Sequence, residues 1–195
     1  MKDGLIKKFI TDTRFESYKD IQEYEKNLIV SKQSYIPLSI LEVSLRNSID
    51  ALLSNKVGNE WHTDDTFLTK DSSLKIKQAI ELLERRRESV SKHKVIAELS
   101  FGFWVNLFKK PYDKKLRIND LTKIFPNLPP KNIKLVNREK IYKELNHIRN
   151  FRNRIFHYEK VVNKDNYNMV FEEINEILRY FDNDIYEFAT RINNK

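Results

Sequence analysis

Over long stretches of the chain apolar residues recur every three or four positions rather than alternating, and this spacing predicts an all-α protein. Phe15, Tyr18, Ile21, Tyr24, Leu28 and Val30 mark a first amphipathic segment of about residues 14–32. Pro37 stands where a first-turn proline suits a new helix, and that second helix is predicted to run to about Ser54. Asp71, Ser72 and Ser73 offer capping oxygens before Leu74, Ile76, Ile80 and Leu83, which share one side of a third helix ending in Arg85-Arg86-Arg87. The run from Val95 to Phe108 is dense enough in apolar residues to predict burial on most sides. Pro111, Pro126, Pro129 and Pro130 then punctuate residues 109–137, predicting loop with short helical turns around Leu121 to Phe125. A long helix over about 138–158 follows, and Asp165 is the expected N-cap of a final helix over about 166–192.

No internal repeat, low-complexity tract or linker divides the sequence. The expectation is a single helical domain over residues 1–195, with N-terminal helices of about 1–34 as an extension. That length buries a hydrophobic core without disulfides or metal. The absence of cysteine excludes disulfide frameworks, thiolate-zinc sites and cysteine nucleophiles. The segment Met1-Lys2-Asp3-Gly4-Leu5-Ile6-Lys7-Lys8 lacks the apolar core of a secretory signal, and no later run approaches the roughly 20 apolar residues that cross a bilayer. A soluble, cytoplasmic protein without a membrane partner is therefore expected. A formal charge of +8 favours encounter with polyanions, which makes RNA or DNA a candidate partner while saying nothing of the fold. His62, His93 and His147 are scattered without helical metal-site spacing, and the chain is too poor in glycine for a nucleotide-binding loop, so no metal and no cofactor are expected.

The chemistry concentrates in Arg149-Asn150-Phe151-Arg152-Asn153-Arg154-Ile155-Phe156-His157. Ile141, Leu145, Ile148 and Ile155 form the core-facing stripe of the long helix, and Arg152 occupies the missing position of that series. A guanidinium there cannot shed its charge and requires a carboxylate, a phosphate or an aromatic face. Arg149, Asn153 and His157 succeed one another at four-residue spacing, so they line adjacent turns of one polar strip beside Arg152. Histidine exchanges a proton near neutral pH, arginine presents a planar fork to phosphate, and asparagine fixes an orientation through donor and acceptor together. Such a set suits phosphodiester chemistry. A histidine near a helix C-terminus also fits a cap or a charge–dipole pair, and arginine-rich surfaces also fit a solvated face.

Arg152-Asn153 followed after three residues by His157 resembles the Arg-polar-x-x-x-His signature of HEPN ribonucleases. Glu42-Val43-Ser44-Leu45-Arg46-Asn47, Ser100-Phe101-Gly102-Phe103-Trp104, and the run from Arg149 to Glu159 resemble successive signature blocks of the bacterial abortive-infection (Abi-like) family, together spanning about residues 42–159. The resemblance implies a HEPN-type helical bundle that pairs as a symmetric homodimer and brings two Arg–His motifs into one cleft. It implies an antiviral effector that cleaves RNA without metal, with Arg152, Asn153 and His157 as catalytic residues. Arg149, Arg154, Arg46 and Asn47 would bind RNA, and Glu42, Tyr158 and Glu159 would support the network. A variant of the family carries tyrosine two residues after the histidine as a target for nucleotidylation by a neutralising partner. Here Tyr158 follows His157 directly and Glu159 takes the further position, a departure from that pattern.

The other reading of the same residues is a non-catalytic RNA-binding or regulatory module held with a noncoding RNA, an antitoxin or another partner protein. A third is a structural interaction protein whose motif is an intrahelical network. Glu42 and Arg46, four apart, fit an intrahelical salt bridge, or Glu42 lies beside the Arg152 strip and satisfies one of its arginines, with Asn47 available to the same network. Ser100-Phe101-Gly102-Phe103-Trp104 fits core packing, with Gly102 permitting close helix approach, or a base-stacking platform. Arg85-Arg86-Arg87 and Lys109-Lys110 fit solvated faces or contacts to an RNA backbone.

Overall fold

The computed structural model describes residues 3–194, and among them every regular element is helical. Two short helices, α1 (Asp3–Phe9) and α2 (Asp12–Phe15), precede α3 (Ile21–Lys56), the longest element of the chain. Asp20 caps α3 by accepting from the Glu23 amide at 2.8 Å. The two helices expected across residues 14–54 are thus one, with Pro37 inside it. An interior proline removes a backbone donor and costs roughly 3 kcal/mol. Burial on both sides of it offsets that cost: Ser34 lies before it, and Leu38, Leu41, Leu45, Ile49 and Leu53 form a buried stripe after it. No helix boundary falls at residue 34, where the N-terminal extension was expected to end.

α4 (Lys70–Arg85) starts earlier than its polar run suggested, because Thr69 rather than Asp71, Ser72 or Ser73 accepts the capping bond, from the Ser72 amide at 3.3 Å. Ser72 is instead buried, accepting from the Tyr112 hydroxyl at 2.7 Å. The apolar run from Val95 to Phe108 is split into α5 (Lys92–Glu98) and α6 (Phe101–Asn106) by extended backbone at Leu99 and Ser100. Phe101, Phe103 and Trp104 are all buried, with Phe103 and Trp104 edge to face at 5.0 Å. They are core, not a stacking platform. The proline-punctuated stretch holds one α-helix, α7 (Ile118–Ile124), whose Leu121 and Ile124 are buried.

α8 (Arg138–Phe156) is capped by Asn137, which accepts from the Lys140 amide at 2.8 Å, and it buries Ile141, Leu145, Ile148, Phe151 and Ile155. The expected final helix is again two, α9 (Val170–Phe181) and α10 (Asn183–Asn193). Asp182 breaks them with extended backbone and caps α10 by accepting from the Asp184 amide at 2.8 Å. Asp165 belongs to a short 3-10 turn over Asp165–Tyr167 and caps neither helix. α3 is the axis of the fold, packing against α6, α7, α9 and α10, while α8 packs on α6 and α9. Among the described residues no helix is long and apolar enough to cross a membrane.

Candidate functional site

α8 ends in a backbone seal. The Tyr158 amide donates to Ile155 O at 3.0 Å and the Glu159 amide to Arg154 O at 2.8 Å, the paired bonds of a Schellman motif. The motif needs a left-handed residue, and that residue is Tyr158, at φ 57°. With the terminal carbonyls taken by backbone donors, the His157 imidazole is not a cap. His157 is exposed and its side chain has no hydrogen-bond or ion-pair partner among the described residues.

Arg152 has both kinds of partner its position requires. Its Nη2 lies 3.5 Å from Glu42 Oε2 on α3, and its guanidinium carbon sits 4.4 Å from the centre of the Phe156 ring, one turn along α8. Its Nε is buried and has no partner among the described residues. Glu42 therefore reaches across to α8 instead of closing an intrahelical bridge. Arg46 turns to its neighbour, its Nε donating to Asn47 Oδ1 at 3.2 Å.

The remaining residues of the strip divide. Arg149 and Asn153 have no side-chain hydrogen-bond or ion-pair partner among the described residues, and Asn153 is exposed. The stem of Arg149 crosses α6 at Gly102, where an added methyl group would lie 3.4 Å from Arg149 Cδ. Gly102 thus admits the approach of α8 to α6. Arg154 is paired, its Nη1 donating to Glu159 Oε2 at 2.7 Å. That pairing accounts for Glu159 and occupies an arginine expected to bind RNA. On α8, then, Arg149, Arg152, Asn153 and His157 share the open face.

The turn that follows is held by residues the sequence reading did not single out. Asn27 on α3 is almost fully buried; its Oδ1 accepts from the amides of Val161 and Val162 at 2.7 and 3.2 Å, and its Nδ2 donates to Glu159 O at 3.3 Å. Arg14 donates from Nη1 to Tyr158 O at 2.8 Å. Glu23 accepts from Lys160 Nζ at 2.7 Å, the Lys19 amide at 2.6 Å and Asn163 Nδ2 at 2.6 Å. Those bonds, the one from Lys160 foremost, hold its carboxyl down at about 2. The stripe of Leu38, Leu41, Leu45 and Ile49 continues toward the start of α3 as Ser34, Asn27 and Glu23, and that turn from apolar to polar on one helical face is the signal that could have found this clasp.

His147, one of the scattered histidines, is a structural group: its Nδ1 lies 2.5 Å from Glu173 Oε2 and its ring stacks on Tyr167 at 5.4 Å. His62 is buried and packs edge to face on Trp61, and burial lowers its pKa. Among the described residues no three His, Asp or Glu side chains are placed to hold a metal ion. No family model, curated protein or solved structure matches the chain.

Proposed function

We propose that the chain is an Abi-like endoribonuclease of the HEPN type, an abortive-infection effector that cleaves RNA without metal through the strip at the end of α8. The observation that carries this reading is that Arg149, Asn153 and His157 have no side-chain hydrogen-bond or ion-pair partner among the described residues, beside an Arg152 braced by Glu42 and Phe156. An intrahelical network would pair these groups with one another, and no such pairing of Arg149, Asn153 and His157 is present among the described residues.

In this reading Arg152 and Arg149 hold the scissile phosphate as paired cationic forks, and Asn153 orients it through its amide. The His157 imidazole takes the proton of the ribose 2′-OH as that oxygen attacks phosphorus, and the 5′-oxygen of the next nucleotide leaves. The arginines stabilise the charge that develops on the phosphate oxygens. The products carry 2′,3′-cyclic phosphate and 5′-OH ends. The active form is a homodimer in which a second strip completes the cleft and its His157 protonates the leaving oxygen.

The test is incubation of the wild type and of His157→Ala with mixed RNA in EDTA, followed by end-group analysis. Cyclic-phosphate ends from the wild type alone are expected, with His157→Ala retaining its melting temperature. Cleavage that requires magnesium and leaves 5′-phosphate would refute the mechanism. Intact RNA bound equally by both proteins would assign the cleft to a binding module held with a noncoding RNA.

A further inference from the structure

Beside the strip, on the side toward α3, lies a groove of about 550 Å³ whose walls are largely aromatic. Tyr35, Phe156 and Tyr158 line it, all three exposed, with the Tyr35 and Phe156 rings 6.3 Å apart and inclined at 35°. Phe156 serves both sides, since it also carries the Arg152 guanidinium at 4.4 Å. Arg14 also lines it, exposed and with its Nη1 donating to Tyr158 O at 2.8 Å, so one cation sits against the Tyr158 backbone and a second, Arg152, stacks on Phe156.

Tyr158 is the least expected of these residues. It is 73% exposed, it contributes nothing to the core, and it occupies a left-handed position where glycine is the residue without a steric penalty. Arg87 ends α4 in the same backbone motif, at φ 56°, with its amide donating to Glu84 O and that of Glu88 to Leu83 O. Arg87 does not line this groove and is the natural comparison. At Tyr158 the cost of the left-handed backbone is accompanied by a ring displayed at the mouth of an aromatic groove, one residue from the His157 imidazole.

We propose that this groove binds an unpaired nucleobase of the RNA strand, stacked on Tyr158 and Tyr35, so that the nucleotide beside it is presented to Arg152 and His157. The inference rests on the ribonuclease reading and adds the element that selects single-stranded over paired RNA. Cations held at Tyr158 and on Phe156 suit a ligand whose flat apolar part is joined to phosphates, and aromatic faces accept any base. A base within a duplex cannot enter the groove.

The experiment uses the full chain carrying His157→Ala, so that RNA is bound and not cleaved, and adds Tyr158→Gly or Tyr158→Phe. Binding is measured to a labelled single-stranded oligoribonucleotide and to a set of the same oligomer with one abasic position each. Tyr158→Gly is expected to raise the melting temperature by about 1–4 °C, as glycine relieves the left-handed strain, and Arg87→Gly to do the same. Stability and binding then move in opposite directions: Tyr158→Gly weakens binding of the intact oligomer by about 5- to 150-fold, whereas Tyr158→Phe preserves it. One abasic position should weaken binding by a similar factor in the Tyr158 background and have no further effect with Tyr158→Gly.

If RNA binds with unchanged affinity to Tyr158→Gly, and the abasic series is flat, the groove proposal falls while the ribonuclease reading stands. If the protein with Tyr158 intact binds no RNA, both fall together. If Tyr158→Gly loosens self-association in sedimentation and the abasic series is flat, a second copy of the chain covers the groove and the nucleobase site is overturned.

Discussion

Replacing Asn27 by alanine tests whether the turn after α8 is held on α3 in the way the hydrogen bonds indicate. The amide side chain sits at the bottom of that turn, 2% exposed, and serves three backbone groups at once. Asn27→Ala leaves the Val161 amide buried without an acceptor, and leaves the Val162 amide and Glu159 O to partly exposed surroundings. An orphaned buried group costs about 1–3 kcal/mol, and the two less buried groups recover much of their loss through water. The sum is a destabilisation of about 2–4 kcal/mol. In a protein of this size each kcal/mol moves the melting temperature by about 2–4 °C, so a fall of roughly 5–15 °C is expected. Urea titration should show a lower midpoint at unchanged slope, since the surface exposed on unfolding stays the same. Asn27→Asp keeps both acceptor bonds but loses the donor to Glu159 O and sets a buried charge against that carbonyl, so it too is destabilising at neutral pH and recovers as acid protonates the carboxyl. An Asn27→Ala protein within about 0.5 kcal/mol of wild type would refute the account.

Two further outcomes follow from neighbouring contacts. The Glu23 carboxyl is held at about 2, against an ordinary value of 4.5, so its stabilising contribution is fully present above pH 4.5 and is lost as pH falls toward 2. Denaturation midpoints taken across that window should fall with acid for wild type and stay flatter for Glu23→Gln, and identical profiles would show that Lys160, Lys19 and Asn163 do not bind the ionised carboxylate. A double-mutant cycle of Glu42→Gln and Arg152→Gln should give a coupling of about 1 kcal/mol, the upper range for a partly exposed pair at 3.5 Å. A coupling of zero would mean that the Phe156 face alone holds Arg152.

The all-α class and the long helix that ends at the motif were legible because both depend on periodicity, and α8 buries Ile141, Leu145, Ile148 and Ile155 as the spacing requires. Helix ends were read less well, for reasons particular to each break. Pro37 carries a strong local signal for a helix start, but the packed stripe beyond it overrides a local cost of a few kcal/mol. Leu99-Ser100 and Asp182 interrupt runs whose apolar spacing continues across the break, so periodicity passes over them. A proline or glycine marks neither break.

In the site, the requirement that Arg152 find a carboxylate or an aromatic face was legible from its place in an apolar series, and it finds Glu42 and Phe156. Which of the other arginines stays available was not, because that is decided outside the helix. Tyr158 takes a left-handed turn, the chain reverses, and the Glu159 amide bonds back to Arg154 O. The same reversal carries the Glu159 carboxylate to the Arg154 guanidinium. That conformation thus ties up Arg154, while Arg149 has no side-chain hydrogen-bond or ion-pair partner among the described residues. It also satisfies the helix end without the imidazole, so His157 follows the last turn of α8 with its ring uncommitted. The result is a strip graded from held to free: Arg152 is clamped between a carboxylate and a ring, Arg149 is steadied along its stem at Gly102, and His157 is open to solvent. In a phosphate site the charge must be fixed in place before the substrate arrives, while the group that moves a proton must be free to reach it. The ordering along α8 fits both conditions of the proposed site, and its free end, at His157, is set by a tyrosine standing where a helix of this kind usually has glycine.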